Sequence, residues 1–296
     1  MNPIVSVVMP TYKGSDDIEK TIRSIQKQTY TDIQIIIVDD NGAGTDEQVA
    51  TEKVVQQFPE VEYYKHEVNK NGSAARNTGI AHAKGKYVAF LDDDDVWKED
   101  KIALQVQRME ALDDTYAMVY GPFLSIDARG KQTKIEGGLE GRILYEFLMG
   151  KVRIGSSLMM VRTDVLREVN GFDESFRRHQ DWELICRILA RYQIAYESEA
   201  LTYKYMKHRN SPKSFDKIVE NRLYFLSKME PYIAALGEER KKEIYVYHYT
   251  FLAKEALKQK KLADCWKWIR KTEKPAAAAA TLVQDALSNI AKRVSG

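Results

Sequence analysis

The feature that most constrains this chain is an alternation in its first 91 residues between short apolar runs and stretches of helical spacing. Residues 4–9 form a β-branched run ended by Pro10, residues 33–38 a near-continuous apolar one, and residues 61–65 and 86–91 two more. Each predicts a strand. Between them Ile18, Ile22 and Ile25 recur at helical spacing behind an Asp16/Glu19 pair that has the capping-box pattern, and residues 46–58 and 73–83 predict two further helices. Strands apolar on both faces, alternating with helices, predict a mostly parallel sheet covered by helices on both sides. Such sheets hold ligands at the carboxyl ends of their strands, and Asp39-Asp40 and Asp92-Asp93-Asp94-Asp95 fall at two of those ends.

At 296 residues, 44% apolar and 30% charged, the chain has material for one α/β core and an accessory segment. A net charge of only +2 argues against a broad face for nucleic acid, so none is expected as a partner. Cys186 and Cys265 stand far apart, which predicts neither a disulfide framework nor a cysteine zinc site. The first apolar run is too short for a signal sequence and no apolar run reaches the roughly 20 residues of a membrane span. The expectation is a cytoplasmic protein, attached to a membrane at most by its inner surface.

Residues 118–209 are mixed in pattern, with a turn expected at Asp127-Ala128-Arg129-Gly130 and helices at 142–149 and 182–191. Beyond Ser211 the sequence is helical in character, which predicts a catalytic domain over residues 1–211 and a helical region over 212–296. There, residues 245–258 and 262–271 read as a helix pair, and 276–294 as a further helix with Leu282, Val283, Ala286, Leu287 and Ile290 on one face. That face suits core packing or a homo-oligomer contact. The nearby Lys271, Lys274, Lys292 and Arg293 also suit an anionic lipid surface.

Four adjacent carboxylates, Asp92 to Asp95, repel one another unless a cation offsets them, and oxygen ligands suit Mg²⁺ or Mn²⁺ shared with substrate phosphates. The competing reading is a solvated turn capping a helix that begins near Lys98. Asp39-Asp40-Asn41-Gly42 suits hydrogen bonds to a base or ribose, or a plain turn. Gly42-Ala43-Gly44 is no dinucleotide fingerprint, because Glu47 replaces the third glycine and the loop follows the second strand.

Together the segments 5–12, with Pro10-Thr11-Tyr12, 37–40, 72–79, with Ala75-Arg76-Asn77, and 90–95 resemble family 2 glycosyltransferases in order and spacing, over residues 4–210. The resemblance implies a GT-A fold with a C-terminal α-helical extension, a nucleotide-diphosphate sugar donor with UDP as the expected nucleotide, and inversion. It places Pro10, Thr11 and Tyr12 at the nucleotide, Asp39 at the base, Arg76 and Asn77 near the nucleotide-sugar, and Asp92-Asp93-Asp94 as an Asp-x-Asp motif. Asp94 becomes the metal ligand and Asp92 the contact to ribose or sugar; whether Asp93 or Asp95 also meets the metal stays open. In Gly171-Phe172-Asp173-Glu174 and His179-Gln180-Asp181-Trp182, Asp181 stands where the family keeps its general base, although Gln180 replaces a common first carboxylate. A plain cap for a helix starting at Trp182 is the alternative. His208 matches a further metal ligand and Arg209 a contact to the diphosphate.

The implied reaction moves a hexose or N-acetylhexosamine to a hydroxyl of a glycan or lipid-linked acceptor, in the assembly of bacterial surface polysaccharide. A nucleotidyltransferase is the rival enzyme class, but Pro10-Thr11-Tyr12-Lys13-Gly14 is a poor phosphate cradle. A catalytically degenerate scaffold is the non-enzymatic rival.

Overall fold

The computed structural model describes residues 2–205, 214–272 and 275–276. In order, its elements are β1 (Val5–Thr11), α1 (Ile18–Gln26), β2 (Ile33–Asp39), α2 (Asp46–Val55), β3 (Val61–Lys65), α3 (Gly72–His82), β4 (Tyr87–Phe90) and β5 (Val96–Trp97). Then come α4 (Lys101–Glu110), β6 (Tyr116–Tyr120), β7 (Phe123–Ile126), β8 (Gln132–Ile135), α5 (Leu144–Leu148), β9 (Met160–Arg162), α6 (Thr163–Glu168), α7 (Gln180–Leu189), β10 (Gln193–Tyr196) and β11 (Thr202–Tyr205). The last helices are α8 (Phe215–Ala234), α9 (Glu238–Lys258) and α10 (Leu262–Arg270). Two compact units result, one of residues 1–144 with 151–208 and the other of 145–150 with 209–296.

In the first unit a seven-stranded sheet has the order β10-β6-β9-β4-β1-β2-β3. Its strand pairs are parallel except those of β9, which runs antiparallel to both β4 and β6. The interior strand β1 is buried on both faces because helices cover both. Val5, Val7 and Met9 meet Ile18, Ile22 and Ile25 of α1 together with Ile102, Val106 and Met109 of α4. The alternate residue Val8 faces α3, where a Cβ on Gly79 would come within 2.3 Å of its Cγ1. Glycine at 79 therefore sets how closely α3 lies on the sheet. A second, four-stranded sheet, β5-β11-β7-β8, holds the expected 127–130 turn, where Gly130 N–H donates to Asp127 O at 3.0 Å.

Two local expectations change. The Asp16/Glu19 box does not form: α1 begins at Ile18 behind Asp17 without a side-chain cap, because Glu19 is drawn to Arg23 at 2.8 Å and Asp17 to Lys20 at 2.9 Å. Nor do the four aspartates cap a helix near Lys98. The chain first enters β5, whose Val96 and Trp97 pair with β11, and α4 starts only at Lys101.

The second unit packs Phe215 of α8, Leu252, Ala253 and Ala256 of α9, and Cys265, Trp268 and Ile269 of α10. The helix expected from Tyr245 extends back to Glu238, since the polar stretch 238–243 carries acidic residues in the first turn where the helix dipole favours them, and Ile244 behind it is buried. The helix predicted over 276–294 lies outside the described residues, as does the proposed boundary at 211. Among the described residues no helix is long and apolar enough to cross a membrane.

Candidate active site

The carboxyl ends of β1, β2 and β4, with the N-termini of α3 and α7, bring most of the expected residues into one region. At the end of β2, Asp39 is fully buried; its Oδ1 accepts from Asn41 N–H at 2.8 Å and its Oδ2 from the Tyr63 hydroxyl at 2.5 Å. Burial pushes its pKa up, against those two hydrogen bonds. Asp40 points elsewhere. Its carboxylate lies 2.7 Å from His66 Nδ1 and accepts from Lys70 N at 2.8 Å, Asn71 N at 2.9 Å and Asn69 Nδ2 at 2.9 Å, so it anchors the loop that leads into α3.

Beyond β1, the Thr11 hydroxyl donates to Asp93 Oδ2 at 2.7 Å and Tyr12 N–H to the same oxygen at 3.3 Å. A Cβ on Gly14 would lie 1.8 Å from that oxygen, which is why the loop carries glycine there. Pro10 is half-buried, and the Tyr12 side chain is exposed.

Arg76, in α3, ties three elements together. It donates to Asp92 Oδ1 at 2.6 Å, to Gln180 Oε1 at 2.9 Å and to Gly72 O at 3.1 Å. Asn77 turns to the other side: its amide donates to Phe172 O and Glu174 Oε1, both at 2.9 Å, and accepts from Phe172 N–H at 2.8 Å. The structure thus places Asn77 as a clamp on the 171–174 turn, apart from the cluster around Asp92. Family-pattern reasoning grouped it with Arg76, but adjacent helix residues point about 100° apart.

Within the acidic turn the four aspartates have separate environments. Burial works against Asp92, but Arg76 and Lys204 outweigh it and hold its carboxyl below the usual range. Asp95 is 2% exposed, receives the Ser157 hydroxyl at 2.5 Å and an ion pair from Lys204, and burial still pushes its pKa up to about 6. Burial likewise opposes the Lys204 ammonium, yet Asp95 and Asp92 hold its pKa above that of an ordinary lysine. Ser157 Oγ also accepts from Asp92 N–H at 3.1 Å, and Trp97 Nε1 donates to Ser157 O at 2.9 Å. Sequence reasoning missed Ser157 and Lys204. Neither belongs to a recognisable motif in the mixed region, and only the sheet order carries β11 beside the turn.

At α7 the helix starts at Gln180, behind His179 in a left-handed conformation at φ 61°. Asp181 therefore sits in the first turn and not at the cap, with its Oδ1 accepting from Trp182 N–H at 2.9 Å. Burial raises its pKa while Arg76 opposes, and Asp92 and Lys204 also act on it, which puts Asp181 in the same electrostatic neighbourhood. Its neighbour Glu183 is bound in both carboxylate oxygens by Arg187, at 2.5 and 2.6 Å, and Arg187 Nη2 also donates to Gly171 O at 2.7 Å. Glu183 is a strut. His208 and Arg209 lie outside the described residues.

The donor set fits a hard divalent ion of the Mg²⁺ or Mn²⁺ kind, because it consists of carboxylate oxygens. It does not form a closed cage. Among the described residues no group of three or more His, Cys, Asp or Glu side chains converges as a metal site. Arg76, the Thr11–Tyr12 loop and the Ser157–Lys204 pair each take an oxygen of Asp92, Asp93 and Asp95 respectively.

Residues 6–176 match the family described as Glycosyl transferase family 2. Over 253 residues the chain is 29% identical to the amylovoran biosynthesis glycosyltransferase AmsB of Erwinia amylovora, covering 82% of this chain and 81% of that one. It is 28% identical over 188 residues to the Escherichia coli UDP-Glc:α-D-GlcNAc-diphosphoundecaprenol β-1,3-glucosyltransferase WfgD, covering 63% and 70%. An uncharacterized glycosyltransferase of Rickettsia felis is 29% identical over 204 residues, 67% of this chain, but the chain spans only 33% of its length. Among solved structures, S. aureus TarS 1–349 in complex with UDP-GlcNAc superposes with a TM-score of 0.65 at 16% identity, covering 92% and 82% of the two chains. The mannosyltransferase PcManGT of Pyrobaculum calidifontis, in complex with GDP-Man and Mn²⁺, gives 0.62 at 19%, covering 98% and 81%. With the family matched over more than half of its length and the fold shared with these transferases, the chain belongs to glycosyl transferase family 2 and is a glycosyltransferase of the GT-A fold.

Proposed function

We propose that this chain transfers a hexose or N-acetylhexosamine, with inversion, from a UDP-sugar to a hydroxyl of a glycan or lipid-linked acceptor during surface-polysaccharide assembly. The observation that carries the reading is the chain of contacts Asp92–Arg76–Gln180, which joins the acidic turn to the start of α7, where Asp181 stands. In it, Asp39 receives the base, Asp92 and Arg76 orient the donor beside Thr11 and Tyr12, and Asp181 takes the proton of the attacking hydroxyl. Burial suits Asp181 to that task by raising its proton affinity. A divalent ion at Asp94, when bound, stabilises charge on the departing diphosphate. Attack opposite the leaving group inverts the anomeric centre, and no carboxylate is assigned as a second nucleophile.

The donor reading is supported by TarS, solved with UDP-GlcNAc, and by WfgD, which is named for UDP-Glc and a diphosphoundecaprenol acceptor. AmsB supports polysaccharide assembly, and the PcManGT complex supports Mn²⁺. A lipid-linked acceptor would set the protein to work at the cytoplasmic membrane surface.

Thermal unfolding with UDP-Glc, UDP-GlcNAc and GDP-Man, each with and without Mn²⁺, tests the proposal. At about 100 times Kd a bound donor contributes about 2.7 kcal/mol, which shifts Tm by roughly 5–10 °C for a domain of this size. The expected result is stabilisation by UDP-sugars, enlarged by Mn²⁺. Stabilisation by GDP-Man alone would overturn the nucleotide assignment, and none by any donor would overturn the function.

A further inference from the structure

Lys204 reaches from β11 of the small sheet into the acidic turn, a position that neither the family pattern nor the expected site anticipates. Its Nζ pairs with Asp95 Oδ2 and lies 3.8 Å from Asp92 Oδ2, and a quarter of its side chain is exposed. Arg76 supplies a second cation, 2.6 Å from the other oxygen of Asp92. The two cations offset half the formal charge of the four aspartates.

We propose that Lys204 is an internal counter-cation that holds down the turn's own affinity for a divalent ion, so that the ion enters together with the donor diphosphate. The inference rests on the nucleotide-sugar reading above. A divalent ion approaching Asp94 meets the turn's carboxylates and the Lys204 ammonium at once. The repulsion from Lys204 cancels part of the attraction, and a diphosphate brings the missing negative charge. Because Asp95 is buried and also receives the Ser157 hydroxyl, the lysine is held in place by the fold and is not swept aside by an arriving ion. Lys204 is on this view a positioning residue that acts through charge.

Mn²⁺ binding in the absence of nucleotide, followed by calorimetry or by the loss of free-Mn²⁺ paramagnetic signal, separates this role from a merely structural one. Measured at pH about 8.5, where Asp95 stays ionised after its cationic partner is removed, Lys204→Met should strengthen binding of Mn²⁺ alone by about tenfold or more, the scale of one unit charge removed from a partly hydrated site. It should also shrink the factor by which Mn²⁺ improves UDP affinity. Lys204→Met combined with Asp95→Asn restores the original charge balance without leaving a buried unpaired carboxylate, so it should fold readily and return Mn²⁺ affinity to the wild-type level. Both results together support the proposal. If a folded Lys204→Met protein binds Mn²⁺ no more tightly than wild type, or if the double variant binds it as tightly as the single, Lys204 has no such role. UDP binding by the wild type that ignores Mn²⁺ altogether would instead overturn the metal reading of the site, and this inference with it.

Discussion

Two adjacent aspartates at the end of β2 should respond oppositely to substitution. Asp40 is 2% exposed and accepts from two backbone N–H groups, those of Lys70 and Asn71 at 2.8 and 2.9 Å, as well as from Asn69 Nδ2, with His66 Nδ1 2.7 Å away. Asp40→Ala strands both backbone donors beneath the 66–71 loop. At roughly 1–3 kcal/mol for each buried donor left unsatisfied, and nearer the low end here because Lys70 is exposed and Asn71 half-buried, the expected loss is about 2–3 kcal/mol. Asp39→Asn keeps an acceptor for Asn41 N–H, loses the charged acceptor of the Tyr63 hydroxyl and removes a carboxylate that burial disfavours, so stability should change by no more than about 1 kcal/mol. Its UDP affinity should fall by about tenfold or more, since a charged acceptor for the base becomes a neutral amide. Urea unfolding followed by circular dichroism at matched m-values gives the first quantity, and calorimetry with UDP gives the second. An Asp40→Ala protein within about 1 kcal/mol of wild type would refute the reasoning, because the loop would then not depend on that carboxylate. So would an Asp39→Asn protein that loses as much stability as Asp40→Ala.

Asp181→Asn should lower turnover by roughly two to four orders of magnitude at saturating donor while leaving donor affinity intact, and near-wild-type turnover with the acceptor would remove Asp181 as base. Since the base must be ionised and burial raises its pKa, kcat/KM should fall with decreasing pH along a limb centred above the ~3.9 of an ordinary aspartate, a shift read directly from the pH profile. Gly14→Ala places a Cβ 1.8 Å from Asp93 Oδ2 and should push that carboxylate off Thr11, costing about tenfold in UDP affinity by titration without unfolding the protein. Lys101 is 1% exposed, donates to Gln105 Oε1 and lies over the Trp97 ring, and burial lowers its pKa to about 7. The unfolded chain then binds the proton more tightly, so stability should rise with pH from about 7 to about 10.5, and Lys101→Met should abolish that rise in urea titrations.

Much of the site was legible in the sequence because its parts sit at strand ends. A run such as residues 33–38 is apolar on both faces only if helices cover both, and the residues that follow it necessarily emerge at the sheet's carboxyl edge. That logic set Asp39 and the Asp92–Asp95 turn at strand ends, where β2 and β4 do end, while Thr11 and Asp181 entered only through the family resemblance. It could not divide the labour among neighbours. Asp39 and Asp40 read alike as carboxylates after a strand, and Arg76 and Asn77 read alike as polar residues of one helix.

The sequence by itself determined the parallel core and an acidic turn at its carboxyl edge. Those follow from hydrophobic periodicity and from charge density along the chain, both of which are local. Tertiary structure alone decided that Asp40 and Glu183 turn inward as struts. It alone brought Lys204 and Ser157 to Asp95, from 109 and 62 residues away. A hydrogen bond or an ion pair spans about 3 Å of space whatever the separation in sequence, so no local pattern can report it.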